Sequence, residues 1–523
     1  MMTPEWVPLV GNSGTDPEPF PERAAEWATG LTYRDIPRPV RRAGRAQLTG
    51  CVGAALWTRT HPLGEKIRGS VPDRAGEATF LGGRHVDPAT AAAGNAALAS
   101  ALGFEGSILG GKTGASAVFV PLAYAEAAKL GGTELLVAQI AANEIAGRLG
   151  ASVPTGPFSG ANAAWIHAVG AAVGRSVIEG DDPGTLADAI ASALARPPRQ
   201  FERARLGSDN GPGGVSDPIR AGLAAVEGAR SGIGGDRGLV EPPDGFLSTI
   251  TRHPAPDHLF GFGDRWHSAA LTVGAVPGSP AIAAATEAAL EVRGRFDRGR
   301  TGLSEVDVYG THESVTRDVA AREFLDGAKR PVAAALESVS RSVATAIVDG
   351  ERRASTVGAR VDGTAIGRIA DRVRVRHDPA RTVAALRPPV PEGVDLRETF
   401  RSPTPHIVRA VGGRGTIRHP RTVLKAARRL STPADPSALT RRIGARVVAR
   451  TDDGRTFEAS VDRPTGVAGG PPAEIRATAR RKCLEALGAL GRSESAARRQ
   501  VDRLLGIDGS EAVRVAGLIG DAG

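Results

Sequence analysis

A chain of 523 residues with 41% hydrophobic content can bury a large core and is expected to divide into two or more domains. Aromatics are only 4%, so Ala, Val, Leu and Gly must fill that core, and two cysteines, Cys51 and Cys483, argue against a disulfide framework and for a reducing cytosol. The formal charge of +9 comes from Arg spread among nearly as many acids, which speaks against a nucleic-acid surface and for an anionic small-molecule partner or plain solubility.

No basic and apolar leader opens the sequence, and no apolar run of roughly 18 or more residues occurs, so the expectation is a cytoplasmic protein with no membrane partner. Residues 1–20 are rich in Pro, Gly and acid and read as a poorly ordered tail. From Glu22 the pattern turns helical. A helix is expected from about Val40 to Trp57, where Gly50, Gly53 and Ala54 predict close packing. His61 and His85 flank a Gly-rich, strand-poor stretch without Cys, Asp or His partners at metal spacing, so no metal site is expected.

Gly106-Ser107-Ile108-Leu109-Gly110-Gly111-Lys112-Thr113 satisfies the phosphate-loop spacing G-x-x-x-x-G-K-[ST]. A working phosphate loop follows a buried strand, yet Asn95 to Glu105 has no β-branched residue and favours helix. A partner Asp on a strand is also required, and Asp349, followed by Gly350, reads equally well as a helix end. A phosphate-loop nucleotide hydrolase is therefore the third of three functional readings.

Three Ala- and Gly-rich helices follow, Ala115–Leu130, Thr133–Leu149 and Ala161–Ile178, and their small residues mark the inside of an all-helical core. Another helix spans Leu186–Leu194. The stretch Gly207–Pro218 is too Gly-rich to be regular, and Ile219–Ala229 is helical again. From Trp266 the texture changes. His267–Val276 alternates like a strand, Val306–Tyr309, Val373–Val375 and Ala445–Val448 read as strands, and Asp452-Asp453-Gly454 reads as a hairpin turn. Helices are expected at Ala281–Val292 and Val332–Val348, which makes 266–465 an α/β unit, with 390–440 of unclear organisation. From Glu474 the chain is helical, with Arg and Lys on one face and Ile475, Cys483, Leu484, Leu487 and Leu490 on the other.

The order of several pieces resembles the MmgE/PrpD family, which includes 2-methylcitrate dehydratases and cis-aconitate decarboxylases. They are Asn95 before a polar loop, the Ser116-Ala117-Val118-Phe119-Val120-Pro121 helix start, the Asn143-Glu144-Ile145-Ala146-Gly147-Arg148-Leu149-Gly150 helix, the Gly170-Ala171-Ala172 helix and the Gly245-Phe246-Leu247 step. The resemblance implies a mainly α fold, in which a large all-α helical domain at 21–265 carries a smaller inserted α/β lid at 266–465. Residues 466–523 would return to the helical domain. It further implies a homodimer and cofactor-free loss of water or CO₂ from a di- or tricarboxylate. The family links its chemistry to an Asp and a His before the second core helix, a His before the third, a Lys in the next Gly-rich loop and a Tyr in the lid helix. Those positions fall here at Gly103, at Gly114 or Ala115, at Gly160, near Gly211 and at Arg341.

The usual acid and base residues are thus substituted, and two classes stay open, a lyase with altered machinery and a ligand-binding relative without catalysis. Polar groups remaining in the same places supply the candidates. His167, Glu105 and Asp209 are the acid/base candidates, against bland readings as a satisfied core histidine and as exposed loop carboxylates. Lys112, Thr113, Asn162, Asn210, His267 and Arg341 are the substrate-binding candidates, with Lys112 and Arg341 suited to carboxylates.

Overall fold

The computed structural model describes residues 18–109, 111–153, 161–162, 164–251, 254–295, 302–326, 331–350, 364–385 and 440–514. Most of the expected tail and of the 390–440 segment lies outside them. The fold is mainly α. Helices α1 (Phe20–Gly30), α2 (Arg38–Arg59) and α3 (Pro62–Ser70) lead to a small hairpin, β1 (Ala78–Phe80) and β2 (Arg84–Val86), in the stretch read as strand-poor. Then come α4 (Pro88–Ser100), β3 (Ser107–Ile108), α5 (Gly114–Ala127), α6 (Gly132–Ser152), β4 (Ala161–Asn162), α7 (Trp165–Glu179) and α8 (Pro183–Ala195). After β5 (Gln200–Phe201) follow α9 (Glu202–Leu206), α10 (Gly213–Arg230), α11 (Phe246–Ile250) and β6 (Leu271–Thr272).

Local chemistry sets these ends. Asp87 accepts from the Thr90 amide and Asp182 from the Thr185 amide, each capping a helix whose first residue is proline. Gly180 ends α7 at φ 75°, a conformation that favours glycine. Helix α5 is buried on every side from Gly114 to Glu126, so it needs small neighbours. Its Pro121 ring packs against Gly174 of α7, where an added Cβ would sit 3.0 Å away. Helix α10 begins within the segment expected to be irregular. Pro218 lies in its second turn and withholds one intrahelical N–H, so the helix forms in spite of it, held by its buried face.

The second layer contains α12 (Pro280–Arg293), β7 (Leu303–Gly310), α13 (His312–Leu325), α14 (Val332–Glu337), α15 (Val339–Asp349), α16 (Thr364–Ala370), β8 (Val373–His377), α17 (Pro379–Ala385), β9 (Ala445–Thr451) and β10 (Thr456–Val461). Its sheet has the order β10-β9-β7-β8, with β7 and β8 parallel and the rest antiparallel. Val306, Val308, Val447 and Ala449 form a core with Ile282, Val292, Val339 and Val343 of α12 and α15. The expected helix Val332–Val348 is two helices. Asp318 of α13 accepts from Ser338 Oγ, Ser340 N and Ser340 Oγ, which fixes a new helix start at Ser338.

Helices α18 (Pro472–Ala489) and α19 (Glu494–Leu505) share one apolar core with α2, α4 and α5 through Cys483, Ala486, Leu487, Val501 and Leu504. Gly53 of α2 lets Cys483 approach so closely that a Cβ there would meet its backbone at 3.0 Å. Among the described residues, no helix is long and apolar enough to cross a membrane.

Candidate functional site

The loop joining α4 to α5 contains, among its described residues, two in the left-handed region. Gly103 turns at φ 68°, and Leu109 is held at φ 41°, a left-handed conformation that costs a branched residue about 1–3 kcal/mol. Ser107 and Ile108 pair with Leu271 and Thr272, while Ile108 and Gly111 exchange backbone hydrogen bonds of 2.8 and 2.7 Å across the turn. This tight turn delivers Lys112. Its ammonium lies 3.6 Å from Glu105 Oε1, with the Lys112 side chain 42% exposed and that of Glu105 2% exposed. The ammonium also donates to the Gly103 carbonyl at 3.3 Å. Glu105 Oε2 is buried with no hydrogen-bond partner among the described residues.

Behind this pair stands Lys482 of α18, buried at 3% exposure. Its Nζ donates to the Phe104 carbonyl at 2.6 Å and lies 4.4 Å from the centre of the Phe104 ring. Burial pushes the Lys482 pKa down to about 8, against the opposing charge of Glu105. Burial also pushes the Cys51 thiol up to about 12, so it stays protonated.

In front of Lys112 lies Glu337, at the end of α14. It accepts from Arg205 of α9 at 3.1 Å and from Arg317 of α13 at 2.8 Å. Burial opposes its ionisation, but Arg317, Arg205 and Lys112 outweigh that and hold the carboxyl at about 2. Gly278, at φ 98°, sits between the two layers. An added Cβ would be 2.8 Å from the Leu336 carbonyl, and its Cα lies 3.5 Å from where a side chain at Gly103 would begin. Charges therefore alternate from Lys482 through Glu105 and Lys112 to Glu337 and its two arginines.

The expected site residues divide by location. His167 stands in α7 within reach of the Lys112 charge; burial first, and Lys112 second, take its pKa down to about 3. Its Nδ1 is 3.2 Å from Ser116 Oγ, so it is a neutral, enclosed ring. Thr113 is fully buried and donates to Asn143 at 2.6 Å, in a network with Gln47 and Gln139 that ties α2 to α6. Asp209 binds Lys66 and the Val332 amide at the far end of α14. Asn210 is exposed, its carbonyl 3.2 Å from Gln200 Nε2. Asn162 pairs through its backbone with Gln200. Arg341 lies in the first turn of α15, its amide bonded to Ser338 Oγ.

His267 belongs to a separate buried clamp. Of the stretch His267–Val276 read as a strand, Leu271–Thr272 is strand β6, but His267–Ala270 is a 3-10 turn, because Glu144 accepts the His267 and Ser268 amides at 3.0 and 2.6 Å. Arg148 completes the clamp by donating to Glu144 and to the carbonyls of His258, Phe260, Gly261 and Arg265. The His267 ring meets His258 at 2.9 Å, and burial holds its pKa well below the usual value.

Sequence reasoning missed Lys482, Glu337, Arg205 and Arg317. The sequence pattern puts Lys482 on a polar face with the other cations, yet it stands three residues after Ala479, four before Ala486 and seven after Ile475, all buried on one stripe. A cation inside an apolar stripe was a readable signal. The phosphate-loop spacing lacks the strand–loop–helix context of a nucleotide site. The helix α4 precedes it, β3 has two residues and pairs antiparallel, and Asp349 ends a helix at Gly350, φ 79°. No curated protein matches the chain. Residues 22–259, which contain Glu105, Lys112, His167 and the Glu144–Arg148 clamp, match the MmgE/PrpD N-terminal domain, which supports membership of the MmgE/PrpD family.

Proposed function

We propose that the chain is an MmgE/PrpD-type lyase for a small di- or tricarboxylate, working where the helical core meets the sheet layer. In this reading the Lys112–Glu105 pair replaces the family's histidines, 266–465 acts as an inserted lid, and the protein is a homodimer. One observation carries the reading: a half-open ammonium, presented by a strained turn, touches a buried carboxylate that keeps one oxygen unpartnered among the described residues. Lys112 swings from Glu105 onto a substrate carboxylate and neutralises it, which acidifies the neighbouring C–H. Glu105, uncovered by that movement, takes the proton. The C–O bond breaks as Lys112 delivers a proton to the leaving hydroxyl, releasing water and forming an alkene. Glu105 then returns its proton to Lys112, which restores both groups. Arg341, on the lid side, supplies a second cation for the substrate.

A binding-only role is favoured by His167, whose enclosed neutral ring is unsuited to acid catalysis near neutral pH. The two roles separate in one experiment. Hydroxylated di- and tricarboxylates are offered to the protein while alkene absorbance and released CO₂ are followed, with binding measured by calorimetry. Lys112→Ala is expected to weaken binding by roughly tenfold or more. Glu105→Gln is expected to bind but not to form product. Binding without turnover by the parent protein selects the binding role, and unchanged binding in Lys112→Ala rejects the site.

A further inference from the structure

Glu105 pairs with one ammonium group and stands within the field of a second. Lys112 approaches from the open side at 3.6 Å. Lys482 approaches from the core, anchored on the carbonyl and the ring of Phe104, the residue immediately before Glu105. One carboxylate cannot fully satisfy both, and its second oxygen is left without a hydrogen-bond partner among the described residues. We propose that Lys482, on a helix outside the matched family domain, is a positioning residue that balances the Glu105 charge from behind and so frees Lys112 to engage an anionic ligand.

The energetic reasoning is Coulombic. With Glu105 alone beside it, Lys112 would be held by a full, poorly screened negative charge, because the pair sits against a desolvated wall. The Lys482 charge cancels part of that attraction, so transfer of Lys112 to a ligand carboxylate costs less. The groups facing Lys482 are Glu105 from the loop, Cys51 from α2, and Cys483 and Arg481 on its own helix. Cys51 and Cys483 both stay protonated, since burial raises each thiol to about 12. Among these groups Glu105 is therefore the anion that Lys482 can balance. A lysine is tolerated on a buried stripe next to Cys483 because a carbonyl and an aromatic face hold the cation and the nearby Glu105 charge favours it.

The inference rests on the proposal that Lys112 meets the ligand, and its test is chosen to stand apart from that proposal. Lys112 is exposed enough to be acylated, whereas Lys482 is not. Trace labelling with acetic anhydride over pH 6–11, read on the Lys112 peptide by mass spectrometry, reports the proton affinity of Lys112 without any ligand. In the native protein the labelling curve is expected to show an extra inflection near about 8, where Lys482 loses its proton. Below about pH 8, where native Lys482 is charged, Lys482→Met should reduce Lys112 labelling by roughly threefold or more, equivalent to about half a pKa unit. Lys482→Arg should keep Lys112 labelling at the native level below about pH 8 and abolish the inflection, since the guanidinium stays charged, which a loss of packing alone would not explain.

In a Glu105→Gln background, Lys482→Met should have a smaller effect, because the shared carboxylate is gone. If Lys482→Met does not fold, the native inflection and the Lys482→Arg curve carry the test. A native curve with a single inflection, or a Lys482→Met curve superimposed on the native one, overturns the inference. Citrate binding to Lys112→Ala is measured in parallel. Undiminished binding there would sink the ligand reading and leave the labelling result intact.

Discussion

The Glu144–Arg148 clamp allows a quantitative forecast. An arginine side chain has five N–H donors, and Arg148 places them on five acceptors, Glu144 and the carbonyls of His258, Phe260, Gly261 and Arg265. Both side chains of the ion pair are 1% exposed. Arg148→Met keeps much of the volume but strands a buried carboxylate and four carbonyls. Breaking a buried pair from one side costs about 3–5 kcal/mol, and each unsatisfied carbonyl adds up to about 1–3 kcal/mol unless water reaches it. The segment 255–268 is partly exposed, so it will let go of the core before the full sum is felt. The expected result is a local loss, about 4 kcal/mol of protection at the His267 and Ser268 amides, measured by hydrogen exchange with mass spectrometry. Arg148→Lys, with one donor site instead of a planar fork, should lose nearly as much. Adding Glu144→Gln to Arg148→Met should recover part of the loss, because no buried charge remains unpaired. Retention of native protection at those two amides in Arg148→Met would refute the clamp.

Three further outcomes are expected. Lys482 has a folded pKa of about 8 against an ordinary value of 10.5, so between those values the unfolded chain binds more protons and this group makes stability rise with pH, by about 3 kcal/mol in all. Cys51 and Cys483 act in the opposite sense above 9, so the check is the melting-temperature difference between native and Lys482→Met protein, which should move in favour of the native protein from pH 8 to 10. MgATP should leave the melting temperature unchanged, since a ligand at 100 times its dissociation constant would add about 2.7 kcal/mol; a saturable rise would overturn the reading of Gly106–Thr113. Gly222→Ala should destabilise by several kcal/mol, because its Cβ would lie 2.1 Å from the Ala168 carbonyl, and a native-like melting curve would contradict the close contact of α10 with α7.

The helices were legible because their causes are local. Ala- and Gly-rich runs bounded by Pro, Asp and Gly need no distant partner to announce α4 to α8. The departures came from distant residues. Ser338 breaks a continuous helical pattern because Asp318, on another helix, holds it. The alternating segment at His267 bends into a 3-10 turn because Glu144 fixes two of its amides. The motif that carried the family resemblance, Asn143 to Gly150, is recognisable as sequence, yet nothing in its spacing announces what its side chains hold. Asn143 pins Thr113, while Glu144 and Arg148 hold a loop. For the candidate site, the spacing around Lys112 drew notice as a phosphate loop, whereas the charges that act on Glu105 and Lys112, those of Lys482 and Glu337, come from segments far along the chain.

The way the two layers join bears on how such a site could work. The last helices are fused to α2 through apolar packing and bare glycine contacts, which do not slide without loss. Several contacts between the α9 region and the α13–α14 region are instead ionic. Arg203 with Glu323 is a largely exposed pair, contributing about 0–1 kcal/mol. The pairing of Glu337 with Arg205 and Arg317 is different, since Glu337 is buried and its charge is enforced by both arginines. That buried node is the strong ionic link between the layers, and Lys112 contributes to its field. An anion arriving at Lys112 therefore competes with Glu337 as well as Glu105 for positive charge. Under the proposed function, anion binding at Lys112 and the fit of the two layers would then be linked through one carboxylate, without any need for a titrating histidine.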